Sequence, residues 1–310
     1  MRQLLLFAVV ITPHLLASAT HAQTHFETTV KNRWKIGLEI TAGSSPVTGI
    51  TATVPVLMDW PEQHVEVVEE NLSPCVRRVT YKTLNGGVKQ MTISIPKLEA
   101  GDTAVAVLTF EIEKGFPAEP EDTKDYLEAK TTATQLRKYL LPSPYIESQD
   151  RRIQSIATEV SAGHETQWAK VSAIYDWVRE NIRYKFDTKI KTSVAAIDDG
   201  EGDCEELTSV FIALCRASNI PARAVWVPGH CYPEFYLEDK EGNGHWIPCQ
   251  AAGTRAFGRM PEARPILQKG DNFRVQGHRK PLRYVQPTLV ARDAGASPSM
   301  RWVMEKVGGE

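Results

Sequence analysis

The sequence predicts an α+β protein: a small all-β sandwich-like domain, then a core in which a helix packs on an antiparallel sheet. Three observations predict it. Apolar residues alternate with polar or small ones at Trp34, Ile36, Leu38 and Ile40, at Met91, Ile93 and Ile95, and at Val105 and Val107, the period of half-buried strands. The period then changes. Val171, Ile174, Tyr175, Val178 and Ile182 recur at steps of three and four, so they share one helical face. Beyond Pro221 strand-like runs return.

Of the 310 residues 42% are hydrophobic and 24% are charged, which is ordinary for a chain able to build a core. The formal net charge is −2, and no basic stripe calls for nucleic acid. Met1-Arg2, the apolar run from Leu4 to Ile11 and the small residues through Ala22 read as an export signal. We therefore expect residues 1–22 to be a signal peptide and the protein to be periplasmic or extracellular. That run is too short to span a bilayer, and no later segment suits a membrane helix. Five cysteines, Cys75, Cys204, Cys215, Cys231 and Cys249, are an odd number. In an oxidising compartment at least one thiol is left over, and the spacings fit no zinc site.

The elements follow in order. Residues 24–115 read as the sandwich-like domain, with Asn85-Gly86 as a hairpin turn and Gly43, Pro55, Pro61, Pro74 and Gly101 as punctuation. His64 and Cys75 in it are single residues, read as structural. Residues 116–140 read as a polar, proline-bearing linker and a helix, broken by Pro142-Ser143-Pro144. Ile153, Ile156, Ala157 and Val160 resume helical spacing, and Trp168 and Trp177 are core beside the next stripe. Leu207, Val210, Phe211 and Leu214 form a further stripe that Asn219-Ile220-Pro221 ends. Strands are expected over 222–227, 231–237 and 245–249, with a polar turn at 239–244. Ile266 to Val275 reads as turn and strand, completing the sheet or covering a cleft, and 291–310 as a weakly ordered tail.

The chemistry concentrates at Gly202-Asp203-Cys204-Glu205-Glu206-Leu207. Asp203 can cap a helix while Glu206 reaches back to it. Cys204 is then the first helical residue, where free N–H groups favour a thiolate. Glu205 and Glu206 oppose that effect. A thiolate nucleophile needs a base, and His230 opens the following strand. If the hairpin centres near Lys240, His230 falls opposite Gln250, whose amide could orient the imidazole. In that register Cys231 and Cys249 also oppose each other, as a cross-strand disulfide or as two buried thiols. His245 is a rival base, disfavoured by its distance from Gln250. The Cys204 N–H, with a second group not identified, would bind the oxyanion.

Gly202-Asp203-Cys204, followed by Leu214-Cys215-Arg216-Ala217-Ser218-Asn219-Ile220-Pro221-Ala222-Arg223, resembles the transglutaminase-like superfamily. So do His230 with Glu234-Phe235-Tyr236-Leu237, Trp246-Ile247-Pro248, and Asp176-Trp177-Val178 with Ile182-Arg183-Tyr184. The resemblance covers roughly 140–255 and implies a papain-like α+β catalytic domain, placed here at 141–290. It implies a Cys-His-Asp triad and acyl transfer through a Cys204 thioester on a protein or peptide substrate. Transamidation and proteolysis stay open, and some members have lost catalysis. Gln250 stands where the family carries its aspartate. An amide stabilises imidazolium less than a carboxylate does, so help from Glu234 or Asp239, or a degenerate core acting as a binding or scaffold protein, are the alternatives. No cofactor is implied, and no calcium-binding loop is readable.

Overall fold

The computed structural model describes residues 26–130 and 134–308. The expected signal peptide, 1–22, lies outside the described residues. Six strands come first: β1 (Phe26–Thr41), β2 (Val47–Val56), β3 (Gln63–Leu72), β4 (Arg78–Leu84), β5 (Val88–Leu98) and β6 (Thr103–Pro117). Then follow α1 (Thr134–Arg137), α2 (Arg151–Ser161), α3 (Gln167–Asn181), β7 (Arg183–Tyr184), α4 (Ser193–Asp199), β8 (Glu201–Gly202) and α5 (Cys204–Ala217). The remainder is β9 (Ala222–Val227), β10 (His230–Glu238), β11 (Gly244–Gln250), β12 (Ala256–Phe257), β13 (Gln268–Lys269), β14 (Thr288–Val290), β15 (Asp293–Ala294) and β16 (Ser299–Val307).

Two sheets form the sandwich, one ordered β16-β1-β6-β3 and the other β14-β2-β5-β4, with β15 also on β2. The alternation read in the sequence selects the buried face: Ile36, Leu38, Ile40, Val54, Ile93, Leu108 and Phe110 share one core. Asn85 and Gly86 take positive φ in the β4–β5 turn, as the hairpin needs.

Two expectations are corrected here. Residues 291–310 do not form a weakly ordered tail where they are described, up to 308. β16 pairs with β1 along nine residues, Leu38 facing Trp302 and Ile36 facing Met304, and Met300, Trp302 and Met304 pack on the sandwich core. The partner lies some 260 residues earlier, so nothing local signals the pairing, and Arg301 and Glu305 blur the alternation. The helix expected within 116–140 is a single turn, Thr134–Arg137. Its one buried apolar side chain, Leu136, is too little to hold a longer helix, since helices in proteins are stabilised mainly by packing.

The second core is built around α5. Leu207 to Cys215 are buried on every side, against β9 and β10 on one flank and α2, α3 and α4 on the others. The sheet beneath runs β12-β11-β10-β9-β13. Pro228 and Gly229, the latter at φ 71°, close the β9–β10 hairpin in two residues, so that Val227 pairs with His230. Proline pre-sets the first turn position and glycine supplies the positive φ of the second. Arg264 pins this turn through Pro228 O at 3.0 Å.

The β10–β11 register differs by two residues from that expected. Leu237 pairs with His245 and Glu238 with Gly244, and the ladder ends at Glu234 with Pro248. Gly244 is held there because the Tyr236 ring lies over it: a Cβ at 244 would fall 1.5 Å from the phenol oxygen. Cys231 therefore pairs with Trp226, Cys249 pairs with Phe257, and all five cysteines are free thiols.

Buried polar groups join the two cores. Lys269 on β13 donates to Glu62 of the sandwich at 2.5 Å and to Glu234 of β10 at 2.6 Å. Arg223 completes the set on Glu234 at 2.8 Å. Gln63 bonds the backbone of Ile266 through both ends of its amide.

Candidate active site

The start of α5 is built by a reciprocal cap. The Glu205 N–H donates to Asp203 at 2.7 Å, and the Asp203 N–H donates to Glu206 at 2.9 Å. Gly202 permits this because a Cβ there would lie 2.4 Å from the Glu206 Cβ. Its position is fixed in turn by β8, which pairs in parallel with β7, Tyr184 beside Gly202. Cys204 is thereby the first helical residue, whose N–H has no acceptor within the helix.

The acidic neighbours are disarmed one by one. Glu205 is paired with Arg283 at 2.5 Å. Burial, and then the hydrogen bond it shares with Glu206, push the Asp203 carboxyl up to about 7. Asp203 thus holds a proton through much of the neutral range. Burial works against Glu206, but the bonds it accepts from the Asp203 carboxyl and from the Lys191 and Asp203 N–H groups outweigh it, and its carboxyl lies below the usual range. The negative charge that would oppose a Cys204 thiolate is largely spent elsewhere.

Cys204, His230 and Gln250 come together. Nε2 of His230 and Oε1 of Gln250 are 3.2 Å apart, which leaves the other ring nitrogen, Nδ1, for Cys204. They meet although His230 and Gln250 are not cross-strand partners: the true register makes them diagonal neighbours, still within reach for long side chains. Gln250 is held through its own carbonyl, which accepts from the Tyr175 hydroxyl at 2.9 Å and from Arg179 at 3.0 Å. The Cys204 thiol is lowered to about 4. The contact from the Cys231 thiol is the largest cause, burial opposes it, and the hydrogen bond and charge of His230 follow. Burial depresses His230, yet the Cys204 thiolate and Gln250 outweigh it and its basicity is raised.

Other sequence candidates lie elsewhere. His245 sits at the far end of the hairpin, on Asp239 at 2.9 Å and edge-on to Tyr126. Asp239 is thus occupied there, and Glu234 is occupied by Arg223 and Lys269. Neither carboxylate assists His230.

A cleft of about 1370 Å³ opens over Cys204 and His230, with Tyr145, Tyr184, Phe186 and Arg283 among its walls. Tyr184 and Phe186 are 56% and 71% exposed. Two residues near the sulfur were given no role in the site by the sequence reading. Tyr184 lines the same cleft, and its phenol is raised by partial desolvation and then by the charge on Cys204 and Asp203. Its signal was an aromatic directly after the α3 stripe, where the core no longer needs one. Cys231 had a signal too, a second thiol adjoining the candidate base, but the assumed register turned it toward Cys249. Among the described residues no cluster of His, Cys, Asp and Glu could hold a metal ion, and no helix is long and apolar enough to cross a membrane.

A buried helix carrying a cysteine at its tip, packed on an antiparallel sheet that brings histidine and an amide to the sulfur, defines a papain-like architecture. Residues 154–251 match the family model of the transglutaminase-like superfamily. The structure of a candidate cysteine protease from Cytophaga hutchinsonii superposes with a TM-score of 0.59 at 20% identity, covering 91% of this chain and 94% of that one. At that identity the likeness speaks for the fold. A candidate protease from Parabacteroides distasonis matches at 12% identity over 75% of this chain and 48% of that one, with a TM-score of 0.29. The periplasmic domain of TgpA from Pseudomonas aeruginosa matches at 10% identity over 71% and 87%, with a TM-score of 0.34. Neither of these two superposes closely enough to bear on function. No curated protein matches the chain.

Proposed function

We propose that the protein is a cysteine-dependent acyl-transfer enzyme acting on peptide or glutamine amide bonds. The observation that carries this reading is the meeting of a lowered thiol and an imidazole on one cleft, with an orienting amide on the imidazole. The Cys204 thiolate attacks the amide carbonyl. His230, as imidazolium, protonates the departing amine or ammonia, and the acyl group remains on sulfur as a thioester. A second nucleophile, water or an amine, attacks that thioester with its proton taken by His230, and Cys204 is released as thiolate.

The cleft exceeds the ~300–1,000 Å³ typical of small-ligand pockets, and exposed Tyr184 and Phe186 offer apolar surface to an extended chain. A peptide segment therefore suits it better than a small amide. Its open mouth leaves the thioester accessible to water, which favours hydrolysis over transamidation.

Iodoacetamide labelling across pH, with each cysteine located by mass spectrometry, tests the reading. Cys204 should label at a rate that is flat above about pH 5, because a thiol lowered to about 4 is already ionised there. Buried Cys215, Cys231 and Cys249 should stay unlabelled. Peptidase and amine-incorporation assays then assign the acceptor. A Cys204 rate that rises only toward the pKa of an ordinary thiol, ~8.5, would leave a binding role on a degenerate core, the reading that the neutral Gln250 favours.

Tyr184 is proposed as the second oxyanion donor, beside the Cys204 N–H. Tyr184→Phe should lower kcat by roughly ten- to a hundredfold, at or below the range seen for lost oxyanion donors. It should leave iodoacetamide labelling unchanged, because alkylation of sulfur forms no oxyanion. A parallel loss of both rates would assign Tyr184 a structural role instead.

A further inference from the structure

In acyl transfer the second thiol at the site supports the Cys204 thiolate but takes no bond-making step of its own. Cys231 is 1% exposed and follows the proposed base in sequence. Its Sγ donates to the Cys204 carbonyl at 3.5 Å and lies 3.7 Å from Thr208 Oγ1. The Cys231 thiol and N–H are both among the groups that lower the Cys204 thiol. Cys215 and Cys249 are fully buried and line no cleft. Of the cysteines in the second core, Cys204 alone meets solvent in the cleft, with Cys231 directly behind it.

From this juxtaposition we infer that Cys204 and Cys231 form a reversible disulfide on exposure to a peroxide, which switches the site off and shields its nucleophile. The inference rests on the proposed reactivity of Cys204. In the first step the Cys204 thiolate attacks the peroxide. The O–O bond breaks, sulfur is oxidised by two electrons to a sulfenic acid, and His230 protonates the departing oxygen. In the second step the Cys231 sulfur attacks the sulfenic sulfur. An S–S bond forms, the S–O bond breaks, and the Cys231 proton leaves with hydroxide as water. The balance is two thiols and one peroxide giving a disulfide, an alcohol or water, and water.

The order of the steps follows from the surroundings. Burial holds the Cys231 thiol protonated, and the charge on Cys204 adds to that effect. Oxidation of Cys204 to a neutral sulfenic acid removes that charge, so Cys231 is a better nucleophile after its partner has reacted than before. Sulfinic acid, the next stage of oxidation, is not reversed by thiols. A resolving thiol in contact intercepts the sulfenic acid before that stage.

The test exposes the full chain to hydrogen peroxide and maps cysteines by non-reducing peptide mass spectrometry. The expected result is a peptide linked through Cys204 and Cys231, loss of iodoacetamide labelling at Cys204, and near-complete recovery with dithiothreitol. Cys231→Ser, and Cys231→Ala beside it, should instead leave Cys204 carrying two or three oxygens, with no recovery. Irreversible oxidation of Cys204 in the unaltered chain, with Cys231 still reduced, overturns the inference. Labelling before peroxide treatment separates the two proposals. A Cys204 that labels but forms no disulfide sinks only the redox inference, whereas a Cys204 that does not label sinks both.

Discussion

Replacing His230 by alanine is expected to slow iodoacetamide labelling of Cys204 at about pH 6 by between tenfold and a few hundredfold. The argument is one of ionised fraction. A thiol lowered to about 4 is almost wholly thiolate at that pH. A thiol at the unperturbed value of ~8.5 is ionised to only ~0.3%, which sets a ceiling of roughly 300-fold. Removing a cation raises the thiol's pKa, so the variant must lie below the unaltered protein at low pH and converge on it as pH rises past ~8. The loss should fall short of the ceiling because two supports remain, the contact from Cys231 and the free N–H groups at the start of α5. Equal labelling of the two proteins at about pH 6 would mean that His230 contributes nothing to the thiolate.

Replacing Lys269 by methionine is expected to destabilise the fold by roughly 3–5 kcal/mol, the range for breaking a buried ion pair from one side. Lys269 is 3% exposed and touches two carboxylates, Glu62 at 8% and Glu234 at 2%. Methionine fills the space but abandons both. Glu62 then loses this partner, while Glu234 keeps Arg223. Chemical denaturation at about pH 7 and about pH 5 checks the sign. Lost carboxylate partners hurt most where the carboxylates are ionised in the unfolded chain, so the deficit should shrink as pH falls toward ~4.3, the ordinary glutamate value. A loss below ~1 kcal/mol at neutral pH would show that the network is not electrostatically tight.

What could be read from the residues was whatever is encoded over a few turns. Asp203 and Glu206 announce the cap, and the cap puts Cys204 first in α5. Asn85-Gly86 and Pro221 mark a turn and a stop by backbone chemistry alone. Strands 222–227 and 245–249 stand out as apolar runs. Legibility failed where a position depends on a distant partner. The β10–β11 register was off by two residues because it turns on Tyr236 covering Gly244, a contact no composition rule expresses. Gln250 still reached His230, since diagonal neighbours on one face tolerate such a slip. Cys231 did not survive it, and its true partner across the helix–sheet boundary went unseen. The strand Ser299–Val307 was missed for the same reason at a larger scale. Its pairing edge is the first strand of the sandwich, and its alternation carries charges such as Arg301, which is satisfied by Glu39 across the sheet and by Glu305 on its own strand.

That last pairing makes the sandwich a discontinuous domain with the thiol-bearing unit inserted into it. Strand β1 leaves an edge that only β16 covers, so one sheet stays incomplete until synthesis has passed residue 307. The inserted unit, whose own contacts are shorter in sequence, can collapse first and bring the two halves of the sandwich together as it does. Closure of the sandwich then becomes the slow, late event that high contact order imposes. A chain cut before β16 would present the length of β1 as an open edge, an invitation to edge-to-edge association.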